Sequence, residues 1–146
     1  MMKTVVSIFL ISFVLQGNTW STDFNKAKQE ATTNNKCILL NFSGSDWCAP
    51  CIKTKRDLFE TKEFMDYAAT NLVLVNADFP RLKKNKLDDA LTKSNEALAD
   101  IYNKEGEFPL TLLLDANGKV LKKWVGFPGP ADTFINSIKV IAHGTK

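Results

Sequence analysis

The chain has 146 residues, 45% hydrophobic and 24% charged: enough apolar material for one domain with its own core, and too much for a disordered chain. A formal net charge of +3, from 19 basic and 16 acidic residues, excludes the strongly basic profile of a nucleic-acid binder. Three cysteines and one histidine exclude a disulfide-stapled scaffold and a histidine-rich metal centre.

Residues 1–19 have the pattern of a secretory signal peptide. Lys3 precedes an apolar stretch at 5–15, and Gly17, Asn18 and Thr19 supply a small, polar cleavage region. The apolar stretch is shorter than the ~20 residues that span a bilayer, and no membrane contact is expected beyond this leader. The remainder, 20–146, is expected to be a single domain outside the cytosol, periplasmic or secreted, where disulfides persist.

Ser21, Thr22 and Asp23 offer an N-cap to a first helix carrying Phe24, Ala27 and Ala31 on one face. Residues 37–42, 72–75 and 110–114 are short apolar runs, suited to strands covered on both sides. Helical sequence fills 49–60, with a second helix at 62–69 directing Phe64 and Tyr67 inward. Asp115-Ala116-Asn117-Gly118 predicts a hairpin turn with positive φ at both Asn117 and Gly118. A returning strand follows at 120–125. A final helix over 131–142 carries Phe134, Ile135, Ile138 and Ile141 as its apolar stripe. The order predicts an α/β fold.

The chemistry is concentrated in Trp47-Cys48-Ala49-Pro50-Cys51. Two cysteines three apart at a helix start can close a small disulfide. The first lies where free N–H groups and the helix dipole stabilise an anion, which lowers its pKa and makes it the nucleophile. The second, one turn in, resolves the mixed disulfide that forms. Pro50 fits the first helical turn. A static disulfide and a zinc site are the other readings of such a pair, the latter weakened by the lack of a second C-x-x-C. Trp47 is either a partly exposed contact for substrate chains or packing against the active-site helix. Cys37, opening an apolar run, reads as a small buried hydrophobe.

The stretch 42–51, Phe-Ser-Gly-Ser-Asp-Trp-Cys-Ala-Pro-Cys, resembles the active site of the thioredoxin superfamily, closest to its secreted bacterial members. Phe108-Pro109, Leu112-Leu113-Leu114-Asp115 and Val125-Gly126 resemble that family's cis-proline loop, hairpin and glycine before the last helix. The resemblance implies a thioredoxin fold: a central mixed sheet with helices on both faces, and here a longer helical connection, 79–108, before the cis-Pro loop. It implies that Cys48 attacks, Cys51 resolves, and a cis Pro109 faces the disulfide and presents backbone to the substrate. Its partners would be protein thiols and disulfides together with a separate redox partner, with no cofactor and no metal, the chain acting as a monomer.

Three departures from the family pattern stand out. Asn41 occupies the strand position where many thioredoxins bury an aspartate beneath the second cysteine, so deprotonation of Cys51 would depend on water or Asp46. Phe108 is larger than the usual residue before the proline and is expected to narrow the substrate groove. The connection 79–108 carries Arg81, Lys83, Lys84 and Lys86 ahead of Asp88 and Asp89, read either as a solvated helix with i, i+4 charge pairs or as a docking surface for an acidic partner. Proline between the cysteines, with no histidine there, favours reductase or isomerase activity over a disulfide-forming oxidase. A non-catalytic peptide-binding adaptor is the reading from another class.

Overall fold

The computed structural model describes residues 19–143. The leader reading therefore falls, except for Thr19, outside the described residues. No helix among the described residues is long and apolar enough to cross a membrane.

Four strands form one mixed sheet in the order β2-β1-β3-β4: β1 Cys37–Ser43, β2 Leu72–Asp78, β3 Leu110–Leu114 and β4 Val120–Val125. β1 runs parallel to β2 and antiparallel to β3, and β3 and β4 make the antiparallel hairpin. The three apolar runs are the three strands at the buried end of this order. Alternation along each strand splits them between two cores. Ile38, Leu40, Phe42, Val73, Val75, Leu110, Leu112 and Leu114 face one side, with Ala27 and Ala31 of α1 (Phe24–Asn34) and Leu98 of α4 (Asp89–Tyr102). Leu39, Leu72, Leu74 and Leu113 face the other, against Leu58, Phe59, Phe64 of α3 (Lys62–Asn71), and Phe134, Ile135 and Ile138 of α5 (Ala131–His143). Helices thus cover both faces, as the resemblance implies.

Several local expectations change. Asp23 alone caps α1, its carboxylate accepting from the Lys26 amide at 3.0 Å. Ser21 instead bridges to β2: its N–H donates to the Leu74 carbonyl at 2.8 Å, and its own carbonyl accepts from Asn76 at 3.0 Å. The helix expected over 49–60 is two pieces, α2 at Ala49–Thr54 and a π-helical turn at Lys55–Phe59, which sets Leu58 and Phe59 into the core. Phe64 is buried, but Tyr67 is only half-buried.

The hairpin turn has positive φ at Gly118 (88°) but not at Asn117. Asp115 holds the turn from within. Its carbonyl accepts from Gly118 at 3.0 Å, and its Oδ1 accepts from the amides of Asn117 (2.9 Å) and Lys119 (3.0 Å). With one left-handed residue and a register shift between Leu113 and Leu114, the chain turns through a bulge rather than a two-residue loop.

Cys37 is half-buried, packed against the second core rather than enclosed in it. As the first residue of β1 it sits at the sheet's end, lining a cleft of about 790 Å³ with Lys36, Tyr67 and Lys139.

Candidate active site

β1 delivers the site. After Ser43 the chain leaves the sheet through 44–47 and enters α2 at Cys48, its N-cap. The Cys48 Sγ accepts the Cys51 N–H at 3.2 Å, and the two sulfurs are joined in a disulfide, with Cα atoms 5.2 Å apart. One helical turn places the residues at that separation without distorting the backbone. Both are covered in this oxidised form, 5% and 4% exposed, so the second cysteine is scarcely more shielded than the first. Cys51 Sγ also accepts the backbone N–H of Gly44 at 3.5 Å. A donor aimed at this sulfur favours its anionic form once the disulfide opens.

Gly44 is required by Trp47. A Cβ there would lie 2.3 Å from the indole ring. The indole Nε1–H donates to the Phe79 carbonyl at 2.7 Å, the ring meets Phe108 edge-on at 5.4 Å, and the Arg81 guanidinium lies over it, 3.6 Å from its centroid. Trp47 is therefore both built in and half-exposed. Phe108 continues the packing to Phe79 at 5.5 Å, and Phe79 stacks toward Phe42 at 6.4 Å. The size of Phe108 fills the space between Trp47 and Phe79.

The Phe108–Pro109 peptide is cis. Pro109 is buried, and its carbonyl accepts the Gly126 N–H at 2.9 Å, tying the proline loop to the end of β4. Among the described residues, none bonds to the backbone N–H or C=O of Phe108. The unbonded backbone of this loop is thus that of Phe108 rather than the carbonyl of Pro109.

Asn41 points to the Cys51 side of the sheet. Its neighbours in register are Asn76 on β2 and Thr111 on β3. Its Nδ2 donates to Asn76 Oδ1 at 2.9 Å and its Oδ1 accepts from the Thr111 hydroxyl at 3.2 Å, making one polar row across three strands. Asn41, Asn76, Asp78, Glu60 and Cys51 line one cavity of about 630 Å³ under α2. Asn41 therefore shares a cavity with Cys51, with both ends of its amide engaged.

Asp46 does not turn toward Cys51. Its carboxylate accepts from the backbone amides of Arg81 (2.9 Å) and Leu82 (3.0 Å) and from Asn85 Nδ2 (3.0 Å). These donors, the Arg81 amide foremost, hold its carboxyl below the usual carboxylate range. The carboxylates that share Cys51's cavity are Asp78, which accepts from the Ser45 amide at 2.9 Å, and Glu60. Asp46, expected as one proton acceptor for Cys51, is instead engaged by residues 81–85, a contact that lies 35 to 39 positions away in sequence.

Asp46 fixes the segment 79–86 to the active-site loop. Replacing it with alanine is expected to remove hydrogen-exchange protection at the Arg81 and Leu82 amides selectively, while the β1 amides keep theirs. Because the folded pKa is lowered, the anchor is complete above about pH 4, near the unfolded carboxyl's value, and weakens as pH falls through the lower, folded value. Protection at both amides unchanged in the variant would show that the packing of Trp47 and Phe79 suffices.

A family model described as thioredoxin-like matches residues 19–116. Among curated proteins, the chain is 32% identical over 116 residues to a protein of Chlamydia pneumoniae named disulfide bond reductase DsbH, covering 80% of this chain and 68% of that one. It is 30% identical over 95 residues to the thioredoxin-related protein DsbJ of the same organism, covering 65% of this chain but only 26% of that longer one. Among solved structures, one titled DsbH oxidoreductase superposes with a TM-score of 0.77 at 27% identity, over 98% of this chain and 95% of that one.

Proposed function

The chain belongs to the thioredoxin-like family, and we propose that within it this protein works in the electron-donating direction, as a disulfide reductase or isomerase outside the cytosol. It is a thiol-disulfide oxidoreductase, the activity its two curated relatives and its Cys48–Cys51 pair support. The observation that carries the exchange chemistry is Cys48 as N-cap of α2, with a backbone N–H directed at its sulfur, while the direction rests on the relative named a disulfide bond reductase.

The reduced protein begins the cycle. The Cys48 thiolate attacks one sulfur of a client disulfide; a Cys48–client bond forms as the client's S–S bond breaks, and the released client sulfur takes up a proton. Cys51, giving up its own proton, then attacks Cys48 Sγ. The Cys48–Cys51 bond forms, the second client sulfur leaves, and two electrons have passed to the client. An ordinary thiol of pKa about 8.5 is only a few per cent ionised at pH 7. The N-terminal amides of α2 stabilise the Cys48 anion and raise that fraction. Trp47, Phe108 and Pro109 are assigned to holding the client chain: two aromatic surfaces beside the disulfide, and the unbonded Phe108 backbone next to the cis-proline.

Direction follows the stability of the reduced pair. Pro50 stands between the cysteines and no histidine does, so the Cys48 thiolate lacks the extra cationic stabilisation of a strong oxidant. The named activity of the Chlamydia relative, a disulfide bond reductase, agrees. The leader at 1–19 would place the domain, acting as a monomer, in the periplasm or outside the cell. The measurement is the reduction potential of the Cys48–Cys51 pair against glutathione. We expect a value near the −270 mV typical of thioredoxin, and one near −120 mV would make the protein an oxidant instead. A pair that fails to accelerate insulin reduction by dithiothreitol at any potential would favour the adaptor reading.

A further inference from the structure

We propose that the segment 79–86 is a cationic wall beside Cys48 that selects client chains carrying acidic residues next to their reactive cysteine. The inference rests on Cys48 being the attacking thiol and names the substrate class of that same site.

The wall is not the solvated helix that its charge pattern suggested. Residues 79–82 are irregular, only Lys83–Asn85 form a 3₁₀ turn, and α4 begins at Asp89, capped by Asp88 accepting from Leu91 at 2.8 Å. Helical i, i+4 pairing is therefore impossible along the basic stretch, and its cations are not neutralised along their own element. Lys86 reaches Asp89 at 3.6 Å with both groups exposed, a weak contact. Lys83 and Lys84 have no carboxylate within ion-pair distance among the described residues.

Its position is fixed by the active-site loop itself. Asp46, immediately before Trp47, holds the Arg81 and Leu82 amides and the Asn85 side chain, and Trp47 holds the Phe79 carbonyl. The Arg81 guanidinium lies over the indole of the residue that precedes Cys48. Nearby carboxylates are turned to other duties: Asp46 faces those donors and Asp78 faces Ser45. Arg81, Lys83, Lys84 and Lys86 are all exposed, and Leu82 among them is 48% exposed. A client docked across Trp47 toward Cys48 would pass this wall. An exposed rim of four cations, of which Lys83 and Lys84 have no carboxylate partner among the described residues, complements carboxylates, raising the encounter rate of acidic chains and lowering that of basic ones.

The test uses the full chain, reduced and desalted, with three synthetic peptides oxidised to disulfide-linked dimers. They differ only in carrying Glu-Glu, Gln-Gln or Lys-Lys beside the cysteine. Stopped-flow tryptophan fluorescence reads the rate. The acidic peptide should react about tenfold faster than the basic one at ~20 mM salt, the ratio falling below about twofold at ~500 mM as screening shortens to a few ångströms. In the Lys83→Gln/Lys84→Gln protein, whose altered side chains are unpacked, the acidic-to-uncharged ratio should fall at least about twofold toward one, Arg81 and Lys86 keeping the remainder. Equal rates for all three peptides overturn the proposal, and so does a preference undiminished in the double variant. Salt-sensitive binding to phosphatidylglycerol vesicles, lost in the double variant while the peptides react alike, would assign the wall to a membrane surface and equally overturn it. Insulin is the control for the reading beneath: an insulin rate at background, with no peptide reduced, refutes the oxidoreductase itself, whereas insulin reduced without charge preference refutes only the wall.

Discussion

Replacing Cys51 with serine is expected to leave the protein able to attack client disulfides but unable to release them. Cys48 would still form its mixed disulfide, because its own activation comes from the N-terminus of α2 and not from the Cys51 sulfur. Resolution would fail, because a serine hydroxyl is no nucleophile toward sulfur at neutral pH. Catalysed insulin reduction should fall to the background of dithiothreitol alone, and clients should accumulate as adducts that reducing agent removes on a gel. Cys48→Ser should abolish both turnover and adducts. Adducts from the Cys48 variant as abundant as those from the Cys51 variant would reverse the assigned roles. The near-equal burial of the two sulfurs does not make them equivalent, since Cys48 caps the helix while Cys51 lies inside its first turn beneath the Gly44 amide.

Asn41→Asp should separate speed from stability. A carboxylate at this position would share Cys51's cavity and could take the proton of the resolving thiol as a general base, which the amide cannot do. Release of a preformed Cys48 mixed disulfide should accelerate most near neutral pH, where an unassisted thiol is mainly protonated. Stability should fall. The side chain is 6% exposed, and burial disfavours the ionised carboxyl. Thr111 would still donate to it, and the Asn76 amide could rotate to donate, so the loss is partial. Its direction with pH is fixed. A carboxyl whose folded pKa is raised holds its proton longer in the folded chain. The variant is therefore closest to wild type below about pH 4 and loses stability as pH rises through the folded pKa, about 1.4 kcal/mol for each unit of the rise. Denaturation midpoints at pH 5 and pH 8, with stopped-flow release rates from pH 6 to 9, measure both effects. Superimposable rate profiles would show that a base at position 41 does not serve Cys51.

The sequence by itself determined much of this protein, and for local reasons. The strands were legible because a doubly covered strand must be apolar throughout, and residues 37–42, 72–75 and 110–114 are nearly so. The redox pair was legible because its function requires a helix start, a fixed spacing and a tolerated proline, all written within Cys48-Ala49-Pro50-Cys51. Even the place of Asn41 followed from strand alternation, which puts it on the face opposite Phe42. Tertiary structure alone decided what touches these residues. Asp46 reaches amides 35 and 36 positions away, Thr111 meets Asn41 across 70, and no periodicity encodes such contacts. Arg81 is one cation among several in the sequence; only the fold lays it on Trp47. The same holds for Cys37, whose apolar neighbours suggested a core position. Its actual exposure, on the lining of a cleft, is a property of the assembled elements and not of the segment.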